Sequence, residues 1–386
     1  MDILHDESVC CCALNRIFGF KPRIALALIS SLGSASEVFR LGGTELDSIL
    51  GKQSSARQAI NLRTLEKTAR ELEQLQSMGC TFIHIGSPHY PALLKECDDP
   101  PVWLYMKSAS SPEEIFKGGN HVAIVGTRDI SPYGREWCQR IAGAISRSCP
   151  TPSVVSGLAL GTDITAHMTA LECGAPTIAV MATGIDSVYP ARHRHIAERI
   201  AGTPGCALIT DYPPGTAPLQ INFLRRNRII AGLGKATVLI ESREKGGGML
   251  TARLAFSYSR DVYALPGRID DARSRGCNIL IKEKAAEPII SEQQLTESIG
   301  LKFKVSAEND PVSSVMSAYE GSCGQDKMEK LTKIVLEIKR HRGATVEEIA
   351  SRTGCGYRET LGYTAMLESD GIIYTDLLQR CYIRLK

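Results

Sequence analysis

Apolar positions from residue 14 to about 73 recur at helical spacing and are punctuated by Gly19, Gly33, Gly42, Gly43 and Gly51, without β-type alternation. This pattern predicts a small bundle of short helices. Residues 81–85 and 102–106 read as strands on either side of a turn-rich connection at 87–101. The pattern then changes. Short β-branched runs at 122–125, 154–156, 177–182, 207–210, 236–240 and 262–265 alternate with amphipathic segments of helix length. Such alternation predicts βαβ crossovers, and hence an α/β, doubly wound parallel sheet covered on both faces. Residues 291–325 are rich in Ser, Glu and Gly, with Gly321-Ser322-Cys323-Gly324 at the end, and read as a linker. Beyond it come a helix at 328–340, a second helix opened by the capping-box pattern Thr345 to Glu348, a third at about 357–369, and two short β-prone runs at 372–374 and 381–384. Three helices and a hairpin wing make a winged helix-turn-helix. The expected plan is a helical module at 1–73, a core at 74–290, a linker at 291–325 and a winged helix at 326–386.

The 386 residues, 43% apolar and 23% charged, suit a globular chain of two or three domains. The overall charge of +3 hides its distribution. Residues 118–290 hold 20 Lys and Arg against 14 Asp and Glu, a net +6, whereas 291–325 are net −3. The basic excess therefore falls on the predicted sheet. Thirteen cysteines, an odd number without a CxxC pair, signal neither a disulfide framework nor a zinc ribbon. In the run Cys10-Cys11-Cys12, adjacent side chains cannot converge on one ion. Acidic residues Asp2, Asp6 and Glu7 near the start, and no apolar run approaching ~18 residues, point to a cytoplasmic protein with no membrane association.

In a doubly wound sheet, ligands bind outside the carboxyl ends of the strands. Several of the expected loops there are glycine-rich: Gly126-Thr127-Arg128, Ser156-Gly157 through Asp163, Thr183-Gly184-Ile185-Asp186, and Gly246-Gly247-Gly248 before a helix. Backbone amides at such turns attract anions. Any one of them could be an ordinary tight βα turn; together they favour phosphate. No nucleotide fingerprint accompanies them. Gly234-Lys235 lacks the first glycine and the hydroxyl of a P-loop, and no GxGxxG follows the first core strand, so no cofactor is expected. The densest basic feature is Phe223-Leu224-Arg225-Arg226-Asn227-Arg228. Guanidinium forks grip phosphate and an aromatic ring can stack a base. Alone, however, the run reads more readily as a solvated helix start. Asp163 and His167, four apart on a helix, more often orient or cap than catalyse, and His193 and His195 point to different faces.

These motifs resemble the DNA-processing protein A (DprA/Smf) family. The matching stretches are Val122 through Arg128 with Tyr133-Gly134; Ser156-Gly157-Leu158-Ala159 with Gly161, Asp163, Ala166 and His167; Gly184-Ile185-Asp186 with Tyr189-Pro190; and Phe223 with Arg226 through Leu233. The resemblance covers about residues 80–290. It implies an extended Rossmann-like core, with an N-terminal module of the SAM or helix-hairpin-helix kind and a C-terminal winged helix. It further implies a non-enzymatic protein that binds and protects single-stranded DNA, loads the RecA recombinase in natural transformation or recombination, and dimerises through the core. The DNA-binding set it suggests is Gly126, Thr127, Arg128, Ser156, Gly157, Phe223, Arg225, Arg226, Asn227, Arg228, Gly246, Gly247 and Gly248, with Arg128 on phosphate and Phe223 stacking a base.

Three departures stand out. Gly246-Gly247-Gly248 replaces the family's Ser-Gly-Ser/Thr turn; Phe18-Gly19-Phe20-Lys21 replaces the second glycine of a helix-hairpin-helix turn with Lys21; and Leu219-Gln220-Ile221-Asn222 is less basic than in many relatives. The competing reading is a nucleoside-monophosphate phosphoribohydrolase on a related scaffold. Its PGGxGTxxE motif is not matched by Gly246 through Ala252, which lack the proline and the glutamate. In the winged helix, Arg358 is the only cation of the expected recognition helix, beside Glu359 and Glu368, which favours protein contact over duplex reading.

Overall fold

The computed structural model describes residues 4, 6–302, 311–319, 321 and 323–384. They fall into two compact units, one within 1–303 and the other within 304–386.

The first unit opens with helices α1 (Glu7–Phe18), α2 (Pro22–Leu32), α3 (Ala35–Arg40), α4 (Gly43–Leu50), α5 (Ser55–Ala59) and α6 (Leu62–Ser77). α1 is buried nearly all round, Cys10, Cys11 and Cys12 included, so it is the centre of the bundle rather than a surface helix. Burial, helped by Glu7, pushes the Cys10 thiol up to about 12. The cysteine run therefore behaves as small apolar packing.

Then follow β1 (Cys80–His84), α7 (Ala92–Lys95), β2 (Trp103–Lys107), α8 (Pro112–Phe116), β3 (His121–Val125), α9 (Pro132–Arg147), β4 (Ser153–Ser156), α10 (Thr162–Glu172), β5 (Thr177–Val180), α11 (Arg194–Gly202), β6 (Ala207–Thr210), α12 (Gln220–Leu233), β7 (Ala236–Leu239), α13 (Gly247–Ser257), β8 (Asp261–Ala264), α14 (Arg275–Lys282), β9 (Glu287–Pro288) and α15 (Glu292–Ser298). The strands form one sheet in the order β1-β2-β6-β5-β4-β3-β7-β8-β9. From β6 to β9 every pairing is parallel; β2 joins β6, and β1 joins β2, antiparallel.

On β3, Val122 and Ile124 enter a cluster with Cys138, Ile141 and Ile145 of α9 and Ala166 of α10. Ala123 and Val125 enter another with Ile229, Ile230 and Leu233 of α12 and Ala252 of α13. Burial on both faces explains why the strand runs are mostly apolar and lack a polar-outward alternation. The strand order reverses between β3 and β7, which makes their carboxyl ends the topological switch point.

The stretch expected as a linker contains helices: α15, whose Leu295 is buried in the cluster beside α9, and α16 (Pro311–Tyr319). Residues 303–310, 320 and 322 of that stretch lie outside the described residues. The second unit continues with α17 (Gln325–Arg340), β10 (Ala344–Thr345), α18 (Val346–Thr353), α19 (Tyr357–Ser369), β11 (Ile373–Thr375) and β12 (Arg380–Ile383). The strands pair antiparallel in the order β10-β12-β11. Thr345 and Glu348 close the predicted capping box, and Leu331, Ile334, Ile349, Leu367 and Ile373 share one core. This is a winged helix. On α19, Glu359 is paired with Lys330 at 2.9 Å.

Candidate nucleic-acid interface

The loops after β3, β4, β5, β6 and β7 meet at the carboxyl edge of the sheet. At the switch point the crevice is filled by the protein itself. Glu241, 1% exposed at the end of β7, accepts hydrogen bonds from the Ser131 amide and hydroxyl, where α9 begins. A carboxylate thus occupies the anion-attracting helix start that a nucleotide phosphate uses in related sheets. The neighbouring backbones also touch: a Cβ on Gly248 would lie 3.0 Å from the Gly126 Cα. What remains available is the rim.

Arg128 is exposed on that rim, with its guanidinium carbon 4.7 Å from the centroid of the Phe223 ring. Phe223 stands on the first turns of α12 and meets Tyr189, from the loop after β5, with centroids 5.4 Å apart and planes tilted by 59°. Among the described residues Arg128 has no ion pair or hydrogen bond through its side chain; the ring is its direct contact, and the buried Asp163 carboxylate feels its charge from further off. Tyr189 is 45% exposed and absent from the set expected by sequence. Its signal was an aromatic residue in a strand-end loop on the same sheet edge. Thr127 and Gly246 are half-buried beside this surface and Gly247 is exposed, while Lys245 next to the glycine run is exposed. Asp129 is drawn off by Arg273 at 2.9 Å.

The other expected residues lie beneath the surface. Arg226 is 3% exposed and donates to the carbonyls of Gly157 and Val180. Gly157 leaves no room for a side chain there, since a Cβ would come within 2.5 Å of that guanidinium. Burial, only partly offset by Asp163, brings Arg226 down to about 10. Arg228 is buried in an ion pair with Asp211 and also donates to the Asp99 carbonyl. The expectation that Arg226 and Arg228 support phosphate is therefore corrected: their donors are already committed inside the fold. Ser156 is likewise buried, its hydroxyl donating to the Ile124 carbonyl at 2.6 Å. Asn227 ties α12 to the glycine turn through Nδ2 to the Gly247 carbonyl at 3.3 Å. Arg225 points elsewhere, over the ring of Phe20 at 4.0 Å.

A polar scaffold holds the loop after β4. The Asp163 carboxylate accepts from the amides of Gly157 and Ala159 at 3.1 and 3.3 Å. His193 Nδ1 donates to the Leu158 carbonyl at 2.8 Å, and Leu158 sits at φ +58°. A left-handed leucine costs about 1–2 kcal/mol, so these contacts hold a conformation the chain alone disfavours. Burial pushes the Asp163 carboxyl up, against the pull of Arg226. His167 is buried with Nδ1 2.7 Å from the Thr177 hydroxyl and is lowered to about 3, by burial first and then by Arg226 and His193. Asp163 and His167 thus serve the loop and the sheet separately. No group of three or more His, Cys, Asp or Glu side chains able to hold a metal occurs among the described residues.

A closed switch point, with guanidinium and aromatic groups displayed on the rim, defines an open α/β protein that offers a surface for an extended anionic, ring-bearing ligand. The chain belongs to the DNA recombination-mediator protein A family, whose model matches residues 81–300. It is 39% identical over 229 residues to the Smf protein of Synechocystis, a match covering 59% of this chain and 56% of that protein. Among solved structures it resembles DNA processing protein A of Streptococcus pneumoniae (29% identity, TM-score 0.54, 70% of this chain and 94% of that one). It also resembles that of Helicobacter pylori, described as binding single-stranded DNA (27% identity, TM-score 0.51, 57% and 95%).

Proposed function

We propose that the chain binds single-stranded DNA along the carboxyl rim of its sheet, with Arg128 on a phosphate and Phe223 and Tyr189 stacking bases. The observation that carries this reading is the exposed Arg128 guanidinium over Phe223, engaged in no ion pair or side-chain hydrogen bond among the described residues. The Thr127 hydroxyl and the Gly247 amide add donors along the same rim, whereas the Gly246 amide is already bonded to the Arg243 carbonyl. The role is one of binding rather than catalysis: the sheet-edge acids Asp163, Asp211 and Glu241 are each engaged by amides, a guanidinium or a hydroxyl. Filling of the helix start by Glu241 also disfavours the phosphoribohydrolase reading. By family, the chain protects incoming strands and loads the RecA recombinase in the cytoplasm, acting as a dimer through the core, with the winged helix as an accessory module. No helix among the described residues is long and apolar enough to cross a membrane.

Titration of oligothymidylate at controlled salt tests the site. Arg128→Ala is expected to weaken binding roughly tenfold or more and to lower the salt slope by about one. Unchanged affinity would sink the assignment. A pulldown of the host recombinase with and without single-stranded DNA tests the loading role, and a lack of recombinase in both arms counts against it.

A further inference from the structure

The turn between α1 and α2 takes no part in the site described so far, yet it repeats the site's chemistry. Phe20 is 58% exposed and carries the Arg225 guanidinium 4.0 Å above its ring. Arg225 has no ion pair or hydrogen bond through its side chain among the described residues, as is true of Arg128 on Phe223. Lys21, beside Phe20, is also exposed and unpaired, and it starts α2 without a side-chain cap.

Phe223 and Arg225 are two positions apart on α12, which separates them by about 200° around the axis and about 3 Å along it. The two guanidinium–phenylalanine pairs therefore flank the first turns of one helix, whose Leu219, Ile221 and Leu224 are exposed between them. A helix is about 10 Å across, a span that a flexible strand can bridge.

The pair at Phe20 does not serve chiefly as a fastener. The helical module is already fixed to the sheet: Asn15 Nδ2 donates to the Asp211 carbonyl at 2.7 Å, Arg16 reaches the Tyr105 hydroxyl at 3.4 Å, and Leu14, Trp103 and Tyr105 share one buried cluster. An exposed cation–π pair adds only about 0.5–1 kcal/mol to that. A large ring left open to water at a turn, under an unopposed cation, suits a ligand that brings its own ring and phosphate.

We infer that Phe20, Arg225 and Lys21 form a second single-stranded DNA contact, which receives the strand after it crosses α12 from Arg128 and Phe223. A base packs on Phe20 while Arg225 and Lys21 meet phosphates. The inference rests on the single-strand reading proposed above.

The test uses the full-length protein and oligothymidylates of about 6 and about 20 nucleotides, within and beyond one site's reach. Phe20→Ala is expected to cost roughly tenfold in affinity for the longer strand while leaving the shorter one and the melting temperature unchanged; Phe20→Trp restores the loss. Equal affinity of wild type and Phe20→Ala for the longer strand overturns the second contact. So does an equal loss at both lengths with a lowered melting temperature, which would make Phe20 a fastener. If Arg128→Ala abolishes binding and Phe20→Ala does nothing, only this inference fails; if the wild type binds neither oligonucleotide, the parent reading fails with it.

Discussion

Helix α12 carries three arginines in four positions, and it uses them in opposite ways. Arg225, like Arg128 of the loop after β3, rests on an aromatic ring without an ion pair. Arg226 and Arg228 are buried, saturated by carbonyls and by Asp211. A run of like charge is thus two devices in one element. The inner arginines are folding determinants: Arg226 ties the loop after β4 to β5, and Arg228 ties α12 to Asp211 and the Asp99 carbonyl, whereas the outer ones keep donors that the fold does not use. What separates the two roles is the set of partners, not the residue type.

The largest expected effect breaks the inner side. Arg228→Ala leaves Asp211 buried without its counter-charge, and removing one member of such a pair costs about 3–5 kcal/mol. Denaturant unfolding should show a loss of that order. Arg128→Ala should show almost none, since its guanidinium is exposed and bonded to nothing. If Arg228→Ala left stability intact while reducing DNA affinity, the division between the two sides would be wrong.

A smaller effect separates ring from charge on the outer side. Phe223→Ala removes a stacking surface worth about 1–3 kcal/mol per base and no charge, so affinity should fall while the salt slope stays as in the wild type. Arg128→Ala should change both. A reduced salt slope for Phe223→Ala would mean that the ring acts only by positioning Arg128.

The sheet was legible because its strands are buried on both faces: the runs at 122–125, 154–156 and 207–210 each fall within one residue of β3, β4 and β6. The second unit was legible through a local signal, the Thr345 and Glu348 capping box. Arg128 and Phe223 were also readable, since both sit in segments that a parallel sheet must bring to its carboxyl edge. The fates of Arg226 and Arg228 were not. Their partners Gly157, Val180, Asp99 and Asp211 are distant in sequence, and helical spacing orders side chains around an axis without saying which face the fold will cover. Glu241 escaped notice for the same reason, because its role exists only once β7 ends beside the start of α9. The two-residue strand β9 is too short to leave a pattern.

Acid should reach the inner side by a route that salt does not. His167 lies below the loop after β4, held neutral by burial and by the nearby Arg226, and is lowered to about 3. The unfolded chain takes up its proton near pH 6.5, so between that pH and about 3 the unfolded state binds one more proton at this position than the folded state does. Stability therefore falls as pH falls, by about 1.4 kcal/mol per pH unit for this residue where the difference is complete. His121, lowered to about 4 by burial, adds a second contribution of the same sign, whereas Asp163 and Asp211, raised by burial, act with the opposite sign. Comparing His167→Gln with the wild type at each pH cancels those shared contributions. The variant's stability should depend less steeply on pH between 6.5 and 4, by up to one proton, whatever its absolute stability. Parallel curves would show that His167 is protonated in the fold, and Arg226 would then have to face a second buried cation rather than a neutral ring.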